Sequence, residues 1–210
     1  MALEITWLGR NCFRLKGREG VVITDPCPPE SGYTLGKVDA NVVTISRKDD
    51  PGYSYREGVK TEGPRVLDSP GEFEIDGILV TGFATKRPDG IRNVAFIIEL
   101  DGIKIGHLGV PAGPANAIAV DDLKGVDILL LPVGGHTSIP SAVASDVMQT
   151  IDARITIPMN FKTAQETADL DPLESFLKET GAKPEPQPKL QVSRSGLPAE
   201  LTIVVLQPKP

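Results

Sequence analysis

The sequence contains few of the side chains that most often bind metals or form covalent cross-links. Two of its 210 residues are cysteine, Cys12 and Cys27, and two are histidine, His107 and His136. Two cysteines without the short spacing of a metal motif predict free thiols in a reducing compartment. We therefore expect a cytoplasmic protein without a disulfide framework.

Long apolar runs are also absent from the sequence. No stretch approaches the roughly 20 apolar residues that a membrane-spanning helix needs, and the N-terminus shows no signal-peptide pattern. The chain has 22 basic and 28 acidic residues, which gives a formal net charge of −6. This balance argues against a broad nucleic-acid surface, although a local basic pocket is compatible with it. We expect neither a membrane nor a nucleic acid as a partner.

Length and composition are typical of one globular domain. Hydrophobic residues make up 40% of the chain and charged residues 24%, and 210 residues are enough to bury a core. No internal repeat or second domain is apparent, so we expect a single domain over residues 1–210. Residues 184–188 alternate proline with other residues. They predict a stiff connector to the last strands, because proline fixes φ.

The hydrophobic pattern predicts strands in the first part of the chain and helices later. Short strand patterns and two buried apolar runs occur at residues 3–7, 12–15, 21–24, 93–99, 103–106, 126–131 and 154–157. Asp101-Gly102 lies between two of these strands and predicts a tight hairpin turn. Residues 190–193 and 201–206 are the last strand candidates.

Two helices are predicted in the later half. Residues 141–151 place Ala144, Val147 and Met148 on one helical face. A second helix is expected to begin at Asp171-Pro172, with the aspartate as N-cap and the proline at the first helical position. Gly181 suits the end of this helix.

Six motifs in a fixed order resemble one family of proteins. They are Ile5–Phe13 (compare I-T-W-L-G-H-S-C-F), Ile23–Pro26 (I-D-P), Ser69–Ile75 (P-G-E-Y-E-I), Gly106–Val110 (H-L-G-D), Leu131–Gly135 (P-V-G-G) and Ile157–Phe161 (I-P-M-H-Y). Together they are similar to the UlaG-like branch of the metallo-β-lactamase superfamily, often called Zn-dependent hydrolases. The resemblance implies an α+β fold, a four-layer αββα sandwich in which two sheets pack between outer helices. It also implies a hydrolytic site with one or two zinc-like ions.

The departures from the family pattern fall on its metal ligands. The family motif S/T-H-x-H-x-D-H follows a buried strand, but here Arg47 and Asp49 occupy the first two histidine positions, and Pro51 and Gly52 the aspartate and last histidine positions. Three later ligands are replaced by Arg87 (or by Lys86, if the alignment slips by one residue), Val110 and Asn160. A zinc site needs three or four nitrogen, sulfur or oxygen donors. The resemblance therefore predicts the fold but not metal-assisted hydrolysis, and we expect no metal, no cofactor and no catalytic residue.

Several polar residues near this cleft allow either a chemical or a structural interpretation. Asp25 could be a general base, or could cap a loop backbone in an Asx-turn. Asp49 and Asp50 could bind a hard cation, or form a solvated loop paired with neighbouring cations. His107 could be catalytic, but a buried structural histidine is favoured, and a surface-loop role is favoured for His136.

The two arginines at the former ligand positions suggest a binding function. The mouth of the cleft would be lined by Arg47 and Arg87, and by Lys86 if the alignment slips by one residue. Guanidinium groups can hold a phosphate or a carboxylate. The opposing interpretation is that Arg47 pairs with Asp49 or Asp50 and that the cleft is filled.

Three classes of function follow. The favoured one is a metal-free pseudo-hydrolase: a binding or regulatory protein for an anionic small molecule, or an oligomer partner of itself or of an active relative. The alternative is a phosphoester or lactone hydrolase with a site rebuilt from Asp25, Asp49, Asp50, His107 or Asn160. The third is a structural interaction protein, for which a large oligomer with a closed cleft would be the sign.

Overall fold

The computed structural model describes residues 2–60, 63–85, 87, 89–114 and 120–209. The N-terminal part of the chain forms most of a six-stranded sheet. Its strands are β1 (Leu3–Gly9), β2 (Cys12–Lys16), β3 (Val21–Thr24), β4 (Val42–Thr44), β5 (Arg65–Leu67) and β12 (Leu190–Val192). The order across the sheet is β12-β1-β2-β3-β4-β5. β1, β2 and β3 form an antiparallel meander, whereas β3, β4 and β5 run parallel.

A seven-stranded sheet follows. Its strands are β6 (Gly71–Ile75), β7 (Ile78–Thr85), β8 (Asn93–Leu100), β9 (Ile103–His107), β10 (Ile128–Pro132), β11 (Ile155–Met159) and β13 (Thr202–Ile203). Its order is β13-β11-β10-β9-β8-β7-β6, antiparallel from β6 to β9 and parallel from β9 to β13. Among the described strands, β6 is therefore the outer one, and one of its edges pairs with none of the others.

The main core lies between the two sheets. Every second residue of β1 is buried there, as Leu3, Ile5 and Trp7 show, and Phe96 and Ile98 of β8 belong to the same cluster. Strands with period-two burial place one face on the partner sheet. Each such large apolar side chain contributes about 1.5–3 kcal/mol when it is fully buried. The predicted α+β sandwich is confirmed.

The outer layers on the two sheets differ. Helices α2 (Ser141–Ile151) and α3 (Leu173–Thr180) pack together, and α2 contacts β10. The opposite face of the first sheet carries a second apolar cluster, in which Leu8 and Cys12 pack with Cys27 and Tyr33. Loops and a one-turn helix, α1 (Pro51–Ser54), provide the additional structure on this side. Within the described ranges, none of the helices has both the length and the apolar character needed to cross a membrane.

Two local predictions need correction. The helix predicted to begin at Asp171-Pro172 begins at Leu173 instead, and Pro172 is its N-cap without a side-chain hydrogen bond. The Asp171 carboxylate lies 3.5 Å from the His136 ring. The predicted strand 201–206 is shorter in the structure: β13 spans only Thr202–Ile203, and Leu206 forms an isolated bridge with Gln187. Helix α2 has the predicted bounds, and Gly181 ends α3 with φ 69°.

Candidate functional site

Loops that follow strands of both sheets meet at one end of the sandwich. The Asn11 side chain donates to the Gly109 carbonyl at 2.7 Å, which joins the loops after β1 and β9. The Val94 amide of β8 donates to the Ser46 carbonyl at 3.0 Å. The six motifs identified in the sequence supply several of these loops. The fold therefore brings the expected cleft residues to one region.

Asp25 is the buried acid of this region. Its carboxylate has no solvent exposure and accepts hydrogen bonds from the Ser46 amide at 2.6 Å and the Ser46 hydroxyl at 2.5 Å. Burial raises its pKa, although the hydrogen bonds from Ser46 act in the opposite direction. Asp25 caps a loop backbone, as the structural interpretation expects. The capped loop is the one after β4, however, and not an Asx-turn of its own.

His107 is held inside the same network. It is fully buried; its Nε2 lies 3.0 Å from the Asn11 carbonyl, and its Nδ1 accepts from the Gly109 amide at 3.2 Å. These partners define a neutral ring with its proton on Nε2, since a carbonyl accepts and an amide donates. The closest Asp25 oxygen is 4.0 Å from Nε2, beyond hydrogen-bond distance. His107 is buried, as predicted; that it has a structural rather than a catalytic role stays a prediction.

Arg87 fills space beside the former aspartate position. Its guanidinium donates to the Val110 carbonyl, lies 3.4 Å from the Thr137 carbonyl, and pairs with Asp89 at 2.6 Å. Only 6% of the Arg87 side chain is exposed. Its hydrogen bonds to Asp89 lower the pKa of that carboxyl to about 2. Lys86, the alternative position for this cation, lies outside the described residues.

Arg47 is paired in the way the filled-cleft interpretation expects. Its Nη2 lies 3.1 Å from Asp50 Oδ2, and its guanidinium carbon is 5.7 Å from the centre of the Tyr53 ring. Asp50 also accepts from the Gly52 amide at 2.9 Å and so caps α1. Arg47 Nε is buried and has no hydrogen-bond partner among the residues that the structure describes. Asp49, by contrast, is exposed.

A second buried ion pair was not predicted from the sequence. Arg10 Nη2 lies 2.9 Å from Glu166 Oε1, and its Nε lies 3.2 Å from both carboxylate oxygens. The side chains are 14% and 0% exposed, respectively. Arg10 stands at a position where the family motif has a histidine, so the sequence itself marks this residue as unusual. Glu166 is 156 residues away and belongs to none of the motifs, so no pattern in the sequence indicated it.

The remaining candidates have separate surroundings. Asn160 is 1% exposed and has φ 53°, and within the described part of the chain its side-chain nitrogen has no hydrogen-bond partner. His136 is exposed and lies 3.6 Å from Asp169 and 3.5 Å from Asp171. A surface-loop role for His136 is therefore confirmed.

A cavity of about 500 Å³ opens next to the Arg47 loop. Three of the predicted site residues line it: Arg47, Asp49 and Asp50. Asp25, Arg87, His107 and Asn160 are not part of its lining, so the structure divides the predicted site. The cavity volume lies within the range of small-molecule sites, roughly 300–1,000 Å³.

The side chains at this end of the sandwich do not fit a zinc centre. In the part of the chain that the structure describes, no group of three or more histidine, cysteine, aspartate or glutamate residues is arranged to hold a metal. At the positions that the resemblance aligns with family ligands, Arg47 and Arg87 carry cations, and the Val110 side chain has no donor atom. A zinc ion needs three or four donors at about 2.0–2.3 Å.

The sandwich of two mixed sheets, with loops gathered at one end, defines the metallo-β-lactamase class of fold. Residues 4–160 match the beta-lactamase superfamily domain, and the chain belongs to the metallo-β-lactamase superfamily. A candidate Zn-dependent hydrolase of that superfamily from Thermotoga maritima is 31% identical, with a TM-score of 0.77 over 98% of this chain and 100% of that one.

Archaeal proteins show similar agreement over most of their length. The UPF0173 metal-dependent hydrolase of Thermococcus kodakarensis is 30% identical over 87% of this chain and 94% of its own. The UPF0173 protein of Pyrococcus furiosus is 29% identical over 84% of this chain and 90% of its own.

Proposed function

We propose that this chain is a UlaG-like member of the superfamily that acts as a binding or regulatory protein without a metal ion. Its active relatives would use a metal at the loop cluster, whereas here the same loops are held together by hydrogen bonds and ion pairs. The protein would therefore keep the scaffold and a neighbouring cavity but not the hydrolytic chemistry.

The observation that carries this proposal is the position of Arg87. Its guanidinium is 6% exposed and donates to the Val110 carbonyl, beside a valine at the former aspartate position. A fixed cation repels a metal cation, and the low local dielectric of a buried site strengthens that repulsion. The Arg10–Glu166 pair supplies a second buried cation that already has its counter-charge.

A second candidate function is hydrolysis by a rebuilt site. The names of the relatives from Thermococcus kodakarensis and Methanoregula boonei, both metal-dependent hydrolases, favour it. Buried Asp25 would be its best acid or base. Burial raises the pKa of this carboxyl, and an acid or base works best when its pKa is close to the working pH. Phosphoesters and lactones are the substrates to test.

Metal content separates the two candidates. The protein is purified without chelator and measured by mass spectrometry before and after incubation with Zn²⁺, Mn²⁺ and Fe²⁺. The Thermococcus relative, treated identically, serves as the positive control. We expect less than about 0.1 equivalent of metal in this chain and no metal-dependent rise in Tm, because only a ligand that binds the folded state stabilises it.

Near-stoichiometric metal with a raised Tm would overturn the proposal. Turnover of p-nitrophenyl phosphate, bis-p-nitrophenyl phosphate or a γ-lactone by the metal-loaded or metal-free protein would establish the hydrolase instead. Assembly with a second copy or with an active relative belongs to the same proposal. Light scattering after size-exclusion chromatography, alone and with such a relative, measures it.

A further inference from the structure

The cavity beside the Arg47 loop has its own chemical character. It is bounded by the loops after β4 and β5, by the end of β7 and by the start of β8. We infer that it binds a small organic monoanion, a carboxylate with an apolar body, and that Arg47 holds the carboxylate. This inference rests on the proposed metal-independent function and names its ligand class.

The chemistry of the ligand's head group can be inferred from the polar groups that line the cavity. Ser46 donates its hydroxyl to Asp25, and Asn93 uses its side chain on Thr85 and on the Leu108 carbonyl. These polar groups are already paired. Arg47 also lines the cavity, and its guanidinium carries only N–H donors that can never become acceptors. A ligand group that contacts this guanidinium must therefore be an acceptor, and a charged acceptor makes the stronger hydrogen bond.

The net charge of the head group follows from the ionised side chains in the lining. Three cations, Arg47, Lys48 and Arg92, are balanced by three carboxylates, Asp49, Asp50 and Asp68. Arg47 is already paired with Asp50 at 3.1 Å. A doubly charged phosphate would add two negative charges to this neutral lining, whereas a carboxylate adds one and meets less repulsion from the three aspartates. Carboxylate is therefore favoured over phosphate.

The apolar body follows from the other side chains of the wall. Pro51, Pro70, Ala84, Ile91 and Val94 contribute carbon surface to the cavity. Ile91 is 43% exposed, and among the described residues it is one of two large hydrophobic side chains on the surface. A ligand that covers Ile91 would remove apolar area from water, which favours binding.

The test uses four compounds that share one body. Isothermal titration calorimetry in EDTA compares 3-phenylpropionate, phenylalanine, 3-phenylpropanol and 3-phenylpropyl phosphate on the full chain. We expect 3-phenylpropionate to bind best, with Kd of about 0.1–1 mM for a ligand of this size. The alcohol and the phosphate should bind at least about tenfold more weakly, since a charge-assisted hydrogen bond is lost or a second charge is added.

Two variants locate the site. Arg47→Gln should weaken 3-phenylpropionate at least about tenfold and leave the alcohol unchanged, because only the charged head group contacts this side chain. Arg65→Gln makes the same chemical change on β5, outside the cavity lining, and should leave every Kd unchanged. Amide NMR of the wild-type protein provides a reading that does not depend on how Arg47→Gln folds. Shifts should cluster at residues 46–50, 68–69, 84–85 and 91–94.

Each opposing outcome has a definite meaning. No binding of 3-phenylpropionate below about 10 mM, shifts elsewhere in the protein, or equal effects of both variants would overturn the carboxylate site. Tighter binding of phenylalanine would overturn the monoanion and identify a zwitterion instead. Because all titrations contain EDTA, they are independent of the metal measurement. Stoichiometric metal would refute the metal-free function alone, and absent binding would refute the ligand site alone.

Discussion

Removal of the Glu166 carboxylate should destabilise the protein strongly. The change Glu166→Met leaves the Arg10 guanidinium, which is 14% exposed, without its partner, and removes the bond from the Ala168 amide at 2.8 Å. Loss of one partner of a buried ion pair costs about 3–5 kcal/mol. Since water can reach part of Arg10, we expect a value near the lower limit, about 3 kcal/mol in the free energy of unfolding.

The double variant Arg10→Met/Glu166→Met tests the reasoning further. It removes both charges of this pair, so its destabilisation should be smaller than the sum of the two single effects, with a coupling energy of about 2 kcal/mol. Urea unfolding at pH 7, followed by circular dichroism, measures all three variants. Thermal unfolding should show a decrease in Tm of about 6–12 °C for Glu166→Met.

An exposed pair provides the control for this experiment. Lys60 and Asp39 lie 2.9 Å apart, but their side chains are 56% and 76% exposed. Lys60→Met should therefore change the free energy of unfolding by less than about 1 kcal/mol. If Glu166→Met also costs less than about 1 kcal/mol, or if the two mutations are additive, the pair does not hold the loops together.

Three further changes probe the loop cluster. Gly109→Ala should cost about 3 kcal/mol in urea unfolding, because Gly109 has φ 64° and a Cβ would overlap Ser46; a neutral result would contradict this packing. Val110→Asp, a return toward the family residue, should cost at least about 3 kcal/mol, because it buries a carboxylate at a position without solvent exposure, and the neighbouring Arg87 is already paired with Asp89. It should also recover no bound metal by mass spectrometry, and stoichiometric metal would refute that expectation. Arg87→Gln should raise the pKa of Asp89 from about 2 toward its ordinary value of about 3.9 in an NMR titration. In the wild-type protein the Asp89 contribution to stability is present above the unfolded-state pKa and is lost as the pH falls through about 2. If the pKa of Asp89 is unchanged in the variant, Arg87 is not the cause of its low value.

Much of the fold follows from local patterns in the sequence. The β8–β9 hairpin is confirmed because Asp101 and Gly102 adopt the positive φ values that a tight turn needs, 51° and 70°. Helix α2 is confirmed because its apolar residues repeat at helical spacing. Asp171 was assigned wrongly because an Asp-Pro pair favours an N-cap in isolation, whereas its side chain here lies beside His136. A tertiary contact prevailed over a local preference.

The site could be predicted only in part. The pairing of Arg47 with Asp50 was one of the two expected arrangements, since these residues are three positions apart. The partners of Arg87 include the Val110 and Thr137 carbonyls, which carry no sequence signal because every residue has a carbonyl. Glu166 was missed for a different reason: its proximity to Arg10 depends on how the two sheets pack.

The outer strand β6 limits how copies of this protein can associate. Its edge is unpaired, and an unpaired strand edge can add a strand from another molecule. Glu72 and Glu74 are exposed on β6, while Phe73 and Ile75 between and after them are half-buried. Two copies that joined their β6 strands would bring four carboxylates together at neutral pH, and like charges across a ladder oppose pairing. The acidic residues thus protect this edge from aggregation, and a functional dimer is expected to use a different surface.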